Sequence, residues 1–172
     1  MSSHVELPAA GLFRTTLPHP NNPQAVRERM LVYFSPKSDQ GPPIVLLPER
    51  QQGQIWSFGT KGVLVEDHAW AQSLVALRPQ GYYTLAGDLI VGPGQRLPDG
   101  LLVLLTYTRA GEPVIHAGVR TPDSVIAFAR EALALSDLQL DSLVPANFRL
   151  ATAQIVRPNE NAPGNAAPEP KA

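Results

Sequence analysis

The residue best suited to chemistry in this chain is a histidine set in an apolar stretch. His116 lies within PVIHAGV, residues 113–119, and strand alternation would put Val114, His116 and Gly118 on one face. An imidazole titrates near neutrality, so it can act as a general base or contact a ligand, and a glycine beside it leaves space. Tyr107, Tyr82 and Trp56 are the aromatic residues that would line such a pocket with it. The competing reading is a hydrogen-bonded, half-buried histidine whose glycine neighbour makes room for a packed helix. One titratable group does not make a catalytic constellation, so the second reading is preferred and His116 stays a lone catalytic candidate.

Other chemistry-bearing residues are sparser. Glu66-Asp67-His68, joined by Asp88, would offer oxygen ligands to a divalent cation. No calcium-loop or HExxH spacing accompanies them, so a helix cap with solvated charges is preferred and no metal is assigned. Gly92-Pro93-Gly94 lacks the following helix that a phosphate cradle needs, and Pro93 removes an amide donor. Ser57 and Ser73 sit in no GxSxG context. Arg14, Arg27, Arg29 and Arg50 could make a basic face near Trp56, Phe58 and Tyr33, with Arg27 and Arg29 as the nucleic-acid candidates. Glu28 and Glu49 dilute that patch, and charges guarding an edge strand are the preferred reading.

The elements that would position these groups follow from periodicity. Residues 101–105, LLVLL, are apolar at every position, which predicts a strand covered on both faces. A turn at Arg109-Ala110-Gly111-Glu112 returns the chain as the His116 strand. Alanine is poor in a primed two-residue turn, so a type I turn with Gly111 as bulge residue is expected, setting His116 opposite Leu104 and Gly118 opposite Leu102. Strands are also expected over 12–16, 25–34, 44–47 (ended by Pro48), 82–91 and 148–156. A hairpin is expected with arms 54–58 and 62–66 across Gly59-Thr60-Lys61. Asp67 would cap a helix over 68–77, with Trp70, Leu74 and Leu77 as its stripe. Thr121-Pro122-Asp123 carries the clearest helix start, followed by Val125, Phe128, Ala129, Ala132 and Leu133 at helical spacing. Ser136 and Gln139 fit a capping box for a short helix through Leu143. Its Leu138, Leu140 and Leu143 would either dock a partner or close the core.

Composition bounds the object. The chain has 172 residues, no cysteine and a formal net charge of −1, from 14 basic and 15 acidic residues. Cysteine chemistry and disulfides are excluded, and a balanced charge gives no long-range pull toward nucleic acid or anionic membrane. Arginine-rich, lysine-poor usage suits a GC-rich bacterial source. No apolar run reaches the ~20 residues of a membrane span, and the first residues lack a signal-peptide pattern, so the chain is read as soluble and cytoplasmic. The expected organisation is a flexible lead at 1–10, one α+β domain at 11–156 and a disordered Pro/Ala-rich tail at 157–172. The domain would be a largely antiparallel sheet of seven or eight short strands packed with two or three helices. The expected function is that of a non-catalytic binding or scaffold protein, a subunit or accessory factor of a larger assembly, without cofactor. Its protein partner or second copy would dock through residues 136–172. The alternatives are a small enzyme or ligand-binding domain around His116 and, third, a nucleic-acid accessory protein.

Overall fold

A computed structural model describes residues 6–146. In chain order it contains β1 (Gly11–Arg14), β2 (Leu31–Ser35), β3 (Ile44–Gln52), β4 (Ile55–Leu64), α1 (His68–Gln72), β5 (Val75–Ala76), β6 (Gly81–Leu85), β7 (Leu89–Val91) and β8 (Gln95–Leu97). There follow β9 (Leu102–Tyr107), β10 (Pro113–Arg120), β11 (Ile126–Phe128), β12 (Leu133–Ala134), a 3₁₀ helix (Asp137–Ser142) and β13 (Leu143–Pro145). The architecture is mostly antiparallel β-sheet with few helices. One sheet runs β4-β3-β2-β1-β5; the other runs β11-β10-β9-β6-β13, with β12 also paired to β10; β7 and β8 form a separate hairpin. No helix of the described residues is long and apolar enough to cross a membrane.

Strand alternation explains why the first sheet carries two cores. Leu12, Leu31 and Trp56 point to one side and join Tyr83, Leu85, Val103, Leu105, Tyr107 and Ile115 from the second sheet. That cluster is the filling between the sheets. Phe13, Val32, Phe34 and Val45 point to the other side, where Trp70 and Ala71 of α1, with Leu74 and Val26, cover them. The segment that brings Val26 inside is held by His19, whose buried ring accepts from the Asn21 and Asn22 amides at 3.2 Å each. Its Nε2 therefore carries the proton and donates to the Leu64 carbonyl at 3.1 Å. At the entry to the fold, Leu7 packs against this second core and the Glu6 carbonyl accepts from Gln72.

The central hairpin forms as its residues dictate. From Val103 to Tyr107 every β9 residue is buried, and His116 pairs with Leu104. Gly111, at φ +73°, closes the turn by donating to the Thr108 carbonyl. Asp67 caps α1 by accepting from the Ala69 and Trp70 amides, and Ser136 and Gln139 complete their capping box.

Other elements differ from expectation, each for a physical reason. The helix expected from Thr121 is absent. The Thr121 hydroxyl donates to the Val125 carbonyl instead of accepting from the next turn, Ser124 turns left-handed at φ +61°, and Ile126–Phe128 returns along β10. The free edge of β10 supplies hydrogen bonds that a helix would have made internally. The 68–77 helix stops at Gln72, because Val75–Ala76 pairs with the edge of β1. Of the helices expected, the one over 68–77 shrinks to five residues, the one from Thr121 is absent and the one from Ser136 is a 3₁₀ helix, so among the described residues two short helices pack on the sheets. Thirteen strands are present among the described residues instead of seven or eight.

The hairpin expected across Gly59-Thr60-Lys61 is one continuous strand, and the chain reverses at Gly53 instead. Gly62 serves close approach: a Cβ there would lie 2.7 Å from the Ile44 side chain. Pro48 does not end β3, which passes it through register shifts on either side. The strand expected over 25–34 begins only at Leu31, with turns before it. The one expected over 82–91 breaks between β6 and β7. The 148–156 strand and the 157–172 tail lie outside the described residues.

Gly111 offers a direct test of the hairpin. A Cβ there would lie 3.0 Å from Arg14 Cβ and Cγ, at a φ that L-residues avoid. Gly111→Ala should cost at least about 1–2 kcal/mol, seen as a lowered urea midpoint with unchanged slope.

Candidate functional site

Of the four residues read as a pocket around His116, Trp56 belongs to the first sheet, and the other three fall on opposite faces of the second. Tyr82, Leu104 and His116 form one row across β6, β9 and β10. Tyr107 points to the other face, into the core between the sheets. His116 is 5 % exposed, and its Nδ1 lies 2.9 Å from the Ala129 carbonyl oxygen. A carbonyl only accepts, so Nδ1 carries the proton. The same carbonyl accepts from Gln54 Nε2 at 3.3 Å, which ties the tip of the β3-β4 hairpin to this face. Tyr82 stacks on Phe128 at 5.4 Å between centroids. Here β11 and its aromatic ring, not a helix, lie beside Gly118.

Trp56 and Tyr107 do meet, and they form the joint between the sheets. Trp56 Nε1 donates to the Tyr107 carbonyl at 2.7 Å, and the Tyr107 hydroxyl donates to the Arg78 carbonyl at 2.8 Å. Gln80 completes the joint: its Oε1 accepts from the Trp56 amide and the Thr106 hydroxyl, and its Nε2 donates to the Trp56 carbonyl. Every polar group here is engaged in holding the fold. His116, Tyr82, Tyr107 and Trp56 therefore do not share a cavity.

The acidic candidates are likewise separated. Asp67 caps α1, Glu66 accepts from Asn21, and Asp88 pairs with Arg96 while accepting from the Asp99 amide. The Arg96 hydrogen bond is the chief reason the Asp88 carboxyl is held below its ordinary range. Among the described residues no three His, Asp or Glu side chains group around a common metal position.

The arginines expected to act together divide. Arg14 turns to Asp137, at 3.2 Å, and to the Gly111 carbonyl. Arg29 adopts φ +54° and pairs with Glu112 at 2.7 Å. Arg27 and Arg29 lie outside the strands, so strand alternation does not set their direction. Arg27 stays exposed and shares a depression with Met30, Arg29 and Arg109. Arg109, absent from the sequence candidates, lies 5.1 Å over the Trp56 ring. Nothing local marks it, since the stacking partner is distant in the chain.

A concave site with a mainly apolar lining lies elsewhere. Leu12, Tyr33, Ile55, Phe58 and Leu77 line a cleft of about 510 Å³, with Pro79 and Gln80 at its side. Tyr33 and Phe58 face each other at 6.0 Å between ring centroids, and the Tyr33 hydroxyl has no hydrogen-bond partner among the described residues. The 3₁₀ helix is a third feature. Leu140 and Leu143 enter the core between the sheets, whereas Leu138 is 85 % exposed. Comparison with family models, curated proteins and solved structures finds no match to this chain.

Tyr107 supplies a pH test of the joint. Burial raises its phenol well above the ordinary 10.0, nearby Tyr83 adds to this, and the bond to Arg78 partly offsets it. In the unfolded chain the phenol ionises near its ordinary value while the folded one keeps its proton. Above about pH 10 the unfolded state thus binds fewer protons, and stability falls as pH rises. Melting temperatures recorded from pH 8 upward should decline beyond pH 10, and less steeply in Tyr107→Phe.

Proposed function

We propose that this protein is a non-catalytic binding domain, a subunit or accessory factor that docks on a protein partner through its 3₁₀ helix. The observation that carries the reading is the exposure of Leu138 on a rigid turn. Ser136 and Gln139 cap the turn, Leu140 and Leu143 anchor it in the core, and the Gln139 side chain donates to the Ile90 carbonyl at 2.8 Å. Ile90 is itself 63 % exposed. Two segments that each present a large aliphatic side chain are thus fastened together by one hydrogen bond. An ordered aliphatic group costs little further entropy when a partner covers it, which favours it as a binding anchor. The involvement of His116, Tyr107 and Trp56 in hydrogen bonds that hold the fold also supports a binding role over a catalytic one.

Leu138→Glu should abolish co-purification of the partner, or self-association by sedimentation, while stability moves by no more than about 0.5 kcal/mol. Leu140→Ala, in the same turn, should instead cost about 2–5 kcal/mol. A complex that survives Leu138→Glu unchanged would remove this reading.

The cleft between Tyr33 and Phe58 favours a second reading, a ligand-binding domain with its site there and not at His116. Its volume falls in the range of small-molecule sites, and one uncommitted hydroxyl among apolar walls is a suitable orienting group. An apolar fluorescent dye should then bind with one-to-one stoichiometry, more weakly in Phe58→Ala and not at all differently in His116→Gln. Equal binding by wild type and Phe58→Ala would discard it.

A further inference from the structure

We infer that the face bearing Arg27, Arg50, Lys61 and Arg109 is a second binding surface, for an acidic peptide segment that also carries aliphatic side chains. It is separate from the Leu138 turn and stands or falls independently of it. Two adjoining depressions share Met30 and Arg109; Arg27 lines one, Arg50 and Lys61 the other. Their floor is aliphatic, from half-buried Met30 and Leu47.

Charge complementarity identifies the occupant. The ion pairs of the described residues are Arg14–Asp137, Arg29–Glu112, Arg78–Asp141 and Arg96–Asp88, so none of the four cations on this face is matched to a carboxylate. Glu28 and Glu49 are the acidic residues lining the depressions. Glu49 is drawn aside, accepting from the Lys61 amide at 3.2 Å and lying across Gly59. Four cations against two anions leave a local surplus on a chain whose formal net charge is −1. Guanidinium groups bind carboxylates in pairs of parallel hydrogen bonds, and stacking on Trp56 already orients Arg109 for this.

The same stacking argues against a single-stranded nucleic acid. Bases need open aromatic faces, but the Trp56 ring is 9 % exposed under Arg109, and Tyr33 and Phe58 line the separate cleft. Aliphatic floor and cationic rim match a peptide that alternates acidic and aliphatic residues.

The test uses the full chain and fluorescence anisotropy at low salt. The probes are a labelled synthetic peptide alternating glutamate and leucine, a lysine-leucine counterpart and a single-stranded oligonucleotide of equal charge. The acidic peptide should bind, and salt should weaken it. Arg27→Gln/Lys61→Gln should weaken it at least about tenfold, a loss of about 1.4 kcal/mol, as should Arg109→Gln. Both residues of the double variant are exposed, so its melting temperature should match wild type, and Leu138→Glu should bind the peptide normally. No binding at low salt, undiminished binding by the folded double variant, or tighter binding of the oligonucleotide than of the peptide would each overturn the inference.

Discussion

The two sheets are held in one arrangement by the junction of Trp56, Gln80 and Tyr107. Sheet packing by apolar contact alone is tolerant of sliding, because hydrophobic attraction has no direction. Hydrogen bonds do have direction. The Trp56 indole reaches the Tyr107 carbonyl, and the Gln80 amide serves both main-chain groups of Trp56, so the first sheet is fixed in position against the second. Gln80 there does the work of a neighbouring strand for one residue of β4. The Tyr107 hydroxyl carries the chain of bonds on to the Arg78 carbonyl. Buried polar groups in such a network are tolerable only when all are satisfied, and these are.

That junction also decides what the surfaces can be. Because Trp56 is pinned at its indole nitrogen, its outer ring face is open to Arg109, which becomes an oriented cation. Ile55 and Phe58 of β4 line a cleft with Tyr33 and Leu12 of the same sheet, closed at its side by Leu77, Pro79 and Gln80. The 3₁₀ helix closes the far part of the same core with Leu140 and Leu143 and leaves Leu138 outside. Three surfaces of different chemistry thus stand on one pair of packed sheets.

What was legible in the sequence was local. The Gly111 turn, the Asp67 cap and the Ser136–Gln139 box involve residues within a few positions of one another, and their chemistry is complete without the rest of the chain. The apolar run of β9 marked the core for the same reason. What was not legible depended on distant partners. Val125, Phe128, Ala129, Ala132 and Leu133 have helical spacing, yet the open edge of β10 takes that segment as strand. Gly59 resembled a turn residue but lies within one continuous strand, and Gly62, expected to open a second arm, serves the packing of Ile44. Of the candidate site, His116 was found as a residue, but its bond to Ala129 comes from a loop whose course no pattern announces. Arg109 and Tyr33 gained their roles only through neighbours far along the chain. His19 reaches the Leu64 carbonyl 45 residues on, a bond that exists only once the sheet is in place.

The two tryptophans divide between the two cores, and their surroundings differ in kind. Trp56 lies at the inter-sheet core with a guanidinium over its ring; Trp70 lies in the outer core with the His19 imidazole edge-on at 4.7 Å. The molecule therefore carries a separate optical reporter in each layer. Emission from one responds to the integrity of the sandwich, and emission from the other to the seating of α1 on its outer sheet. With one tryptophan replaced at a time, emission reads whether the layers melt together or in sequence, without a label.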